Sequence, residues 1–323
     1  MKHVWALALV ALLAAACADD GAEIGGDEPT AAQLTAEQPA GEVNFPVTVG
    51  SGELAVEIPA PPERIVSLSP TATEVLFAIG AGELVVAADE YSTYPEEAPA
   101  TDLSGFTPNV EAIAGYDPDL VVASSDPGDL ASSLAEIGVP TLIHPAAATL
   151  DDTYTQIEQL GAATGHVADA AEVVAQMQTD VDALVDRLPE RAEPLTYYHE
   201  LDVNYFSVSS ETFIGQLYRL LGMRSIADEA GDESGGYPQL NPEFIVQADP
   251  DVILLADATC CGVDADEVAS RPGWEQMSAV KAGRIIELDE DVASRWGPRI
   301  VDFLETLATE LAALELVELE AAG

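Results

Sequence analysis

The 323-residue chain is 48% hydrophobic, enough to bury a sizeable core, and its length fits a bilobed unit with extensions. Its 11 Lys and Arg face 58 Asp and Glu, a formal net charge of −47, so the surface repels nucleic acid and anionic head groups and a nucleic-acid role is excluded. The acidity matches a solvated surface and names no partner.

Lys2 leads into an apolar run, Val4 to Ala16, that is too short to span a bilayer and stops at Cys17. Ala14-Ala15-Ala16 before a cysteine resembles a lipoprotein signal, although leucine is commoner where Ala14 stands. Residues 1–17 are therefore expected to be a signal peptide, and Cys17 to carry the lipid that anchors the protein to the outer face of the cell membrane. Residues 18–43 hold seven acidic residues, no Lys or Arg and no aromatic ring, and read as a disordered acidic tether.

Alternation begins with Phe45, Val47 and Val49, then Leu54, Val56 and Ile58 after Gly50-Ser51-Gly52, a predicted hairpin. Beyond Pro59 to Pro62, short β-branched runs alternate with helical patterns, which predicts parallel strands with helical crossovers. Strands are expected at Ile65–Leu68, Leu84–Ala87, Leu120–Ala123 and Thr141–His144, and Gly80-Ala81-Gly82 reads as a helix stop. From His166 to Leu188, apolar residues recur at three- and four-residue spacing without Gly or Pro, predicting one helix of about six turns. Pro189 and Pro194 close it, and a second α/β series starts at Leu195–Tyr198.

The two halves repeat each other. Asn109-Val110-Glu111, then Ile113 and Asp117-Pro118-Asp119 before the strand at Leu120, is matched by Asn241-Pro242-Glu243, then Ile245 and Asp249-Pro250-Asp251 before a strand at Val252. Upstream, Ser69 to Glu74 before Leu76 and Gly80 parallels Ser209-Ser210-Glu211 before Leu217 and Gly222. The asparagines suit helix N-caps, and the glutamates sit where negative charge favours the helix dipole. Their recurrence at one spacing also suits a pair of equivalent acidic knobs, one per lobe.

Sites of chemistry are sparse. The sequence has no Gly-x-Ser-x-Gly, no Walker loop and no His-Glu-x-x-His, and His144, His166 and His199 show no ligand spacing. With Cys17 lipidated, only Cys260-Cys261 remains, which offers no disulfide framework and no zinc site; the pair reads as two thiols or one local redox-dependent kink.

Pro62 to Pro70, Thr73-Glu74-Val75-Leu76, both Asn-x-Glu and Asp-Pro-Asp repeats, Arg271-Pro272-Gly273-Trp274 and Arg295-Trp296-Gly297-Pro298-Arg299 together resemble the vitamin B12 and ferric-siderophore class of periplasmic binding proteins, over about residues 44–315. That resemblance implies an α/β fold of two similar lobes with mostly parallel sheets, bridged by one long rigid helix. The lobes are expected at 44–163 and 191–323, with 164–190 as the bridge. It further implies a monomeric substrate-binding protein of an ABC importer, not an enzyme, with no cofactor and no bound metal. The ligand is a large chelate, a corrinoid ahead of a ferric siderophore, with haem also open. Carried over residue by residue, Tyr91, Phe106, Tyr237 and Arg295 fall at ligand contacts, and Glu111 and Glu243 at the contacts with a permease, which works with its ATPase. Tyr237 stands where that class has tryptophan. The other reading is an exported enzyme or ligand sensor on the same scaffold.

Overall fold

Short runs of β-branched and apolar residues form three sheets in a computed structural model that describes residues 43–189, 191–230 and 234–321. The expected signal peptide, the lipid site Cys17 and the tether up to residue 42 lie outside the described residues. A leading hairpin pairs β1 (Val47–Val49) antiparallel with β2 (Val56–Ile58). Leu54, expected in the second strand of the hairpin, is 42% exposed in a single helical turn, because the register sets Val49 opposite Val56 and leaves Leu54 inside the connection.

The first lobe runs β3 (Ile65–Leu68), α1 (Pro70–Ala78), β4 (Val85–Ala88), α2 (Val110–Ala114), β5 (Leu120–Ala123), α3 (Leu130–Ala135) and β6 (Thr141–Ile143). Its four strands are parallel in the order β4-β3-β5-β6. β4 starts one residue later than expected because Leu84 closes a helical turn. Then come α4 (Leu150–Thr164) and α5 (Val167–Arg187). The second lobe follows with β7 (Leu195–Glu200), α6 (Phe213–Leu220), β8 (Met223–Ser225), α7 (Pro242–Ala248), β9 (Val252–Leu255) and β10 (Ile285–Glu287), in the parallel order β8-β7-β9-β10. In both sheets the first strand is central, the second flanks it on one side, and the third and fourth lie on the other.

Continuous apolar strands explain why both faces are covered. On β5, Leu120 and Val122 enter one apolar cluster while Val121 and Ala123 enter another, and on β9 Val252 and Leu254 separate from Ile253 and Leu255 in the same way. The long helix joins the lobes through its own buried stripe. Ala170, Val174 and Met177 pack into the first-lobe core, whereas Val181 and Leu184 pack into the second. Its 21 residues span about 32 Å at 1.5 Å per residue, so a single rigid rod belongs to both cores. The final helix, Ile300–Ala321, adds Phe303, Leu304, Leu307 and Leu311 to the second core.

The repeated Asp-Pro-Asp has a shared physical cause. Asp117 and Asp249, at φ 51° and 46°, turn the chain out of the helices α2 and α7. Two residues on, Asp119 accepts from the backbone N–H groups of Glu63 and Arg64 at 2.8 and 2.9 Å, while Asp251 accepts from the Thr196 N–H and hydroxyl at 2.7 and 2.8 Å. Each carboxylate thus staples the incoming strand to the head of the central one. The upstream repeat is looser than expected: Ser69 caps α1, but α6 is capped by Thr212, while Ser210 bonds Asp228. Cys261 is disulfide-bonded.

Replacing Asp251 by Ala should lower stability by about 1–3 kcal/mol, the worth of hydrogen bonds from half-buried donors to a charged acceptor. Urea denaturation checks this, and a loss below about 0.5 kcal/mol would reduce the staple to a passive contact.

Candidate functional site

The carboxyl ends of parallel strands are where α/β proteins open crevices, since the connecting loops there diverge from the sheet. Two adjoining cavities occupy that edge here. One, of about 530 Å³, is lined by Leu68 and Ser69 after β3, Asp89 after β4 and Ser124 after β5, together with Tyr91, Phe106 and Arg295. The other, of about 310 Å³, is lined by Ala146 and Ala147 beyond β6, His199 of β7, Ala256 beyond β9 and Tyr237. Ser294 and Trp296 line both, so the two form one cleft between the lobes.

Each lobe contributes aromatic rings from a loop that glycine brings close to its neighbour. A Cβ on Gly105 would lie 2.5 Å from the Leu68 carbonyl, so only glycine lets this loop cross the end of β3 and present Phe106. Phe106 is 75% exposed and meets Tyr91 edge to face at 5.8 Å. In the second lobe Gly236, at φ 91°, would place a Cβ 2.6 Å from the Thr212 methyl, and the half-exposed Tyr237 follows it. Tyr91, Phe106 and Arg295 therefore meet in the larger cavity and Tyr237 stands at the smaller one.

Arg295 lines the cleft yet is 8% exposed and already paired. Its guanidinium donates to Glu74 at 2.8 Å, to the Tyr91 carbonyl at 3.0 Å and to Thr93 Oγ1 at 3.3 Å, and Asp291 lies 3.0 Å away. Arg299 reaches the same Glu74 carboxylate through Nε at 3.0 Å and Nη2 at 2.5 Å, and stacks over Tyr94 with its guanidinium 4.2 Å from the ring centroid. Trp296 between them donates from Nε1 to Gln156 at 2.9 Å. Segment 291–299 is thereby strapped onto the first lobe, and the cleft's cation is internally neutralised.

Behind the cleft, polar side chains are buried in order. Asp89 accepts from Ser92 Oγ at 2.6 Å, and Ser92 bonds Thr73 at 2.8 Å; burial raises the Asp89 carboxyl above the usual range, opposed by Ser92 and by Arg295. In the second lobe Arg271 pairs bidentately with Glu200 at 2.6 and 2.7 Å and lies 4.7 Å from the Trp274 ring centroid, which accounts for the Arg-Pro-Gly-Trp sequence. Asp257 is fully buried at the head of helix Ala258–Cys261; burial and the nearby Glu200 charge push its carboxyl up to about 6.

Glu111 and Glu243 are exposed in the first turns of α2 and α7. Asn109 and Asn241 cap those helices, accepting from Ala112 N–H at 3.1 Å and Glu243 N–H at 2.8 Å. The two glutamates are not part of the cleft. Sequence reasoning passed over Glu74, Trp296 and His199. Trp296 and Glu74 stood inside recognised motifs, and Glu74 carried a signal, a charge beside Ala72, Val75 and Leu76 on a buried helix. Nothing in sequence marked His199. Among the described residues no group of three or more His, Cys, Asp or Glu could hold a metal ion.

Comparison with known proteins places this geometry. Residues 65–292 match the family model of the periplasmic binding protein. An uncharacterised ABC transporter substrate-binding lipoprotein, YvrC of Bacillus subtilis, is 30% identical over 277 residues, 83% of this chain and 86% of its own. A cobalamin-binding protein of Halobacterium salinarum is 31% identical over 279 residues, 82% of this chain and 74% of its own. Among solved structures, the periplasmic haem-binding protein RhuT from Roseiflexus sp. RS-1 superposes with a TM-score of 0.68 at 26% identity, covering 78% of this chain and 98% of that one.

Asp257 sets a pH test. Its folded pKa of about 6 exceeds the ordinary aspartate value of 3.8, so its contribution to stability is present below pH 4 and is lost as pH rises through 6. Between pH 5 and pH 8 the wild type should lose about 1 kcal/mol that Asp257→Asn does not lose. Parallel urea titrations of the two proteins check this; identical pH slopes would show that the carboxyl titrates normally.

Proposed function

The chain belongs to the periplasmic binding protein family, and we propose that within it this protein is the extracytoplasmic receptor of an ABC importer, delivering a corrinoid to a permease and its ATPase. The observation that carries the ligand class is the character of the cleft. Its exposed surface is aromatic, its carboxylates are Asp89 and Asp291, and among the described residues lining it the cation is Arg295, already paired with Glu74. A multiply anionic ferric catecholate requires several cationic partners. A flat macrocycle with uncharged amides requires rings to lie against and few charges, which Tyr91, Phe106, Trp296 and Tyr237 offer. The cobalamin-binding relative supports the corrinoid; the haem-binding neighbour keeps a second macrocycle in view.

In the same reading the protein is a monomeric receptor and not a catalyst, in line with a family and relatives named for binding. Cys17 carries the lipid and the acidic tether holds the receptor near its permease, raising effective concentration without new contacts. A relative named as a lipoprotein supports the anchor. Residues 44–163 and 191–323 act as the lobes and 164–190 as the bridge. Glu111 and Glu243, equivalent in the duplication and exposed on equivalent helices, meet one arginine on each of two permease subunits.

Titration calorimetry should give cobalamin tighter binding than a ferric catecholate, and the opposite order would overturn the ligand assignment. In reconstituted importer, Glu111→Arg and Glu243→Arg should each weaken ligand-stimulated ATPase and together abolish it, with ligand affinity unchanged. If the glutamates serve only the helix dipole, the double variant instead loses about 0.3–1 kcal/mol of stability per site and keeps normal ATPase stimulation.

A further inference from the structure

The smaller cavity of the cleft holds a polar group whose hydrogen bond is unmet. His199 is 1% exposed; its ring lines the 310 Å³ space and its Nε2 is buried without a partner. The surrounding wall is apolar, made by Phe213, Tyr237, Trp296 and the small side chains of Ala147 and Ala256. The other ring nitrogen, Nδ1, lies 2.8 Å from the Tyr218 hydroxyl. Burial lowers the imidazole pKa to about 3, so the ring is neutral and only one nitrogen carries hydrogen.

Tyr218 decides which one. Its side chain is fully buried, and among the described residues the hydrogen bond given to its hydroxyl is the one to His199. The phenol proton therefore has Nδ1 as its acceptor, which leaves Nε2–H alone unmet; the reverse arrangement would leave both the phenol proton and the Nε2 lone pair without partners. With Nδ1 accepting, hydrogen resides on Nε2, a fixed donor on the ring that lines the cavity. Leaving such a donor unsatisfied costs about 1–3 kcal/mol, which a suitable ligand atom recovers.

A carbonyl oxygen on an uncharged arm satisfies that donor at little cost. A carboxylate would have to leave water for a mostly apolar wall that offers it no cation, which is far less favourable. The volume lies at the small end of the usual 300–1,000 Å³ for ligand pockets, enough for a side arm of a macrocycle and too small for the ring. Since Ser294 and Trp296 border both cavities, one ligand can lie against Tyr91 and Phe106 and extend an arm to His199.

We propose that this cavity is a specificity subsite for a neutral acyl arm of the bound macrocycle, with His199 Nε2–H donating to its carbonyl oxygen. The proposal rests on the macrocycle reading above and adds selection of amide over acid side chains. The test is calorimetry on two matched pairs, cobinamide with cobyrinic acid and haem dimethyl ester with haem, each pair differing in the charge of its peripheral arms. Because the whole protein is acidic, the charged member is disfavoured in any case, so the comparison is between variants. Wild type should favour the neutral member of the pair it binds by at least tenfold more than does His199→Phe/Tyr218→Phe, in which neither buried polar group is orphaned. Ala256→Leu, which fills the cavity and leaves His199 in place, should weaken the neutral ligand by at least tenfold. A preference unaltered in both variants would overturn the subsite while the receptor reading stands. Binding of neither pair by wild type would overturn both.

Discussion

Glu74 is the group on which the geometry of the cleft depends. Its carboxylate, 1% exposed on the first helix of the first lobe, takes hydrogen bonds from Arg295 and Arg299, more than two hundred residues away. A buried carboxylate without partners costs several kcal/mol, and breaking such a pair by removing one member costs about 3–5 kcal/mol. Two guanidiniums offset that cost here, and in doing so they fix segment 291–299 across both lobes. Hydrogen bonding to Glu74 raises the Arg299 pKa, against the opposing effect of burial, so the cation persists at every physiological pH. The same strap places Trp296 and Ser294 between the two cavities and uses up the positive charge of Arg295. The spacing of the lobes, the shape of the cleft and its lack of a free cation among the described lining residues thus follow from one ionic contact reinforced by a helix shared between two cores.

The duplication gives that contact a role in the proposed docking. Two sheets of identical strand order, each stapled by an aspartate two residues beyond a left-handed turn, present one exposed glutamate apiece. Equivalent knobs can engage a two-fold partner only if their separation is constant. A 21-residue helix, with one half in each core, and the Glu74 strap are two independent constraints on that separation. Small lobe movement is the outcome these constraints predict, because packed cores and buried ion pairs resist continuous deformation.

Much of this was legible in sequence, for identifiable reasons. Parallel strands buried on both faces appear as unbroken apolar runs, and the bridging helix appears as a stripe at helical period. The repeat exposed Glu111 and Glu243 because local capping and turn chemistry keep their spacing fixed. Leu54 was misplaced because alternation alone cannot show where a hairpin turns. The parallel of Ser209-Ser210-Glu211 with the Ser69 segment is loose because α6 takes its cap from Thr212, and cap choice depends on where the helix docks. The pairing of Glu74 with Arg295 and Arg299 was illegible because it joins residues distant in sequence, although a charge beside Ala72, Val75 and Leu76 pointed to a buried Glu74; nothing local marked the burial of the His199 imidazole.

The most direct test of the strap is a pair of spin labels at Ala112 and Gln247, exposed positions beside the two glutamates, with the distance distribution measured by pulsed dipolar spectroscopy. One narrow distribution, little changed by cobalamin and broadened by Glu74→Gln, is the result expected. A broad or ligand-shifted distribution in the wild type, or one that Glu74→Gln leaves unaltered, would contradict it.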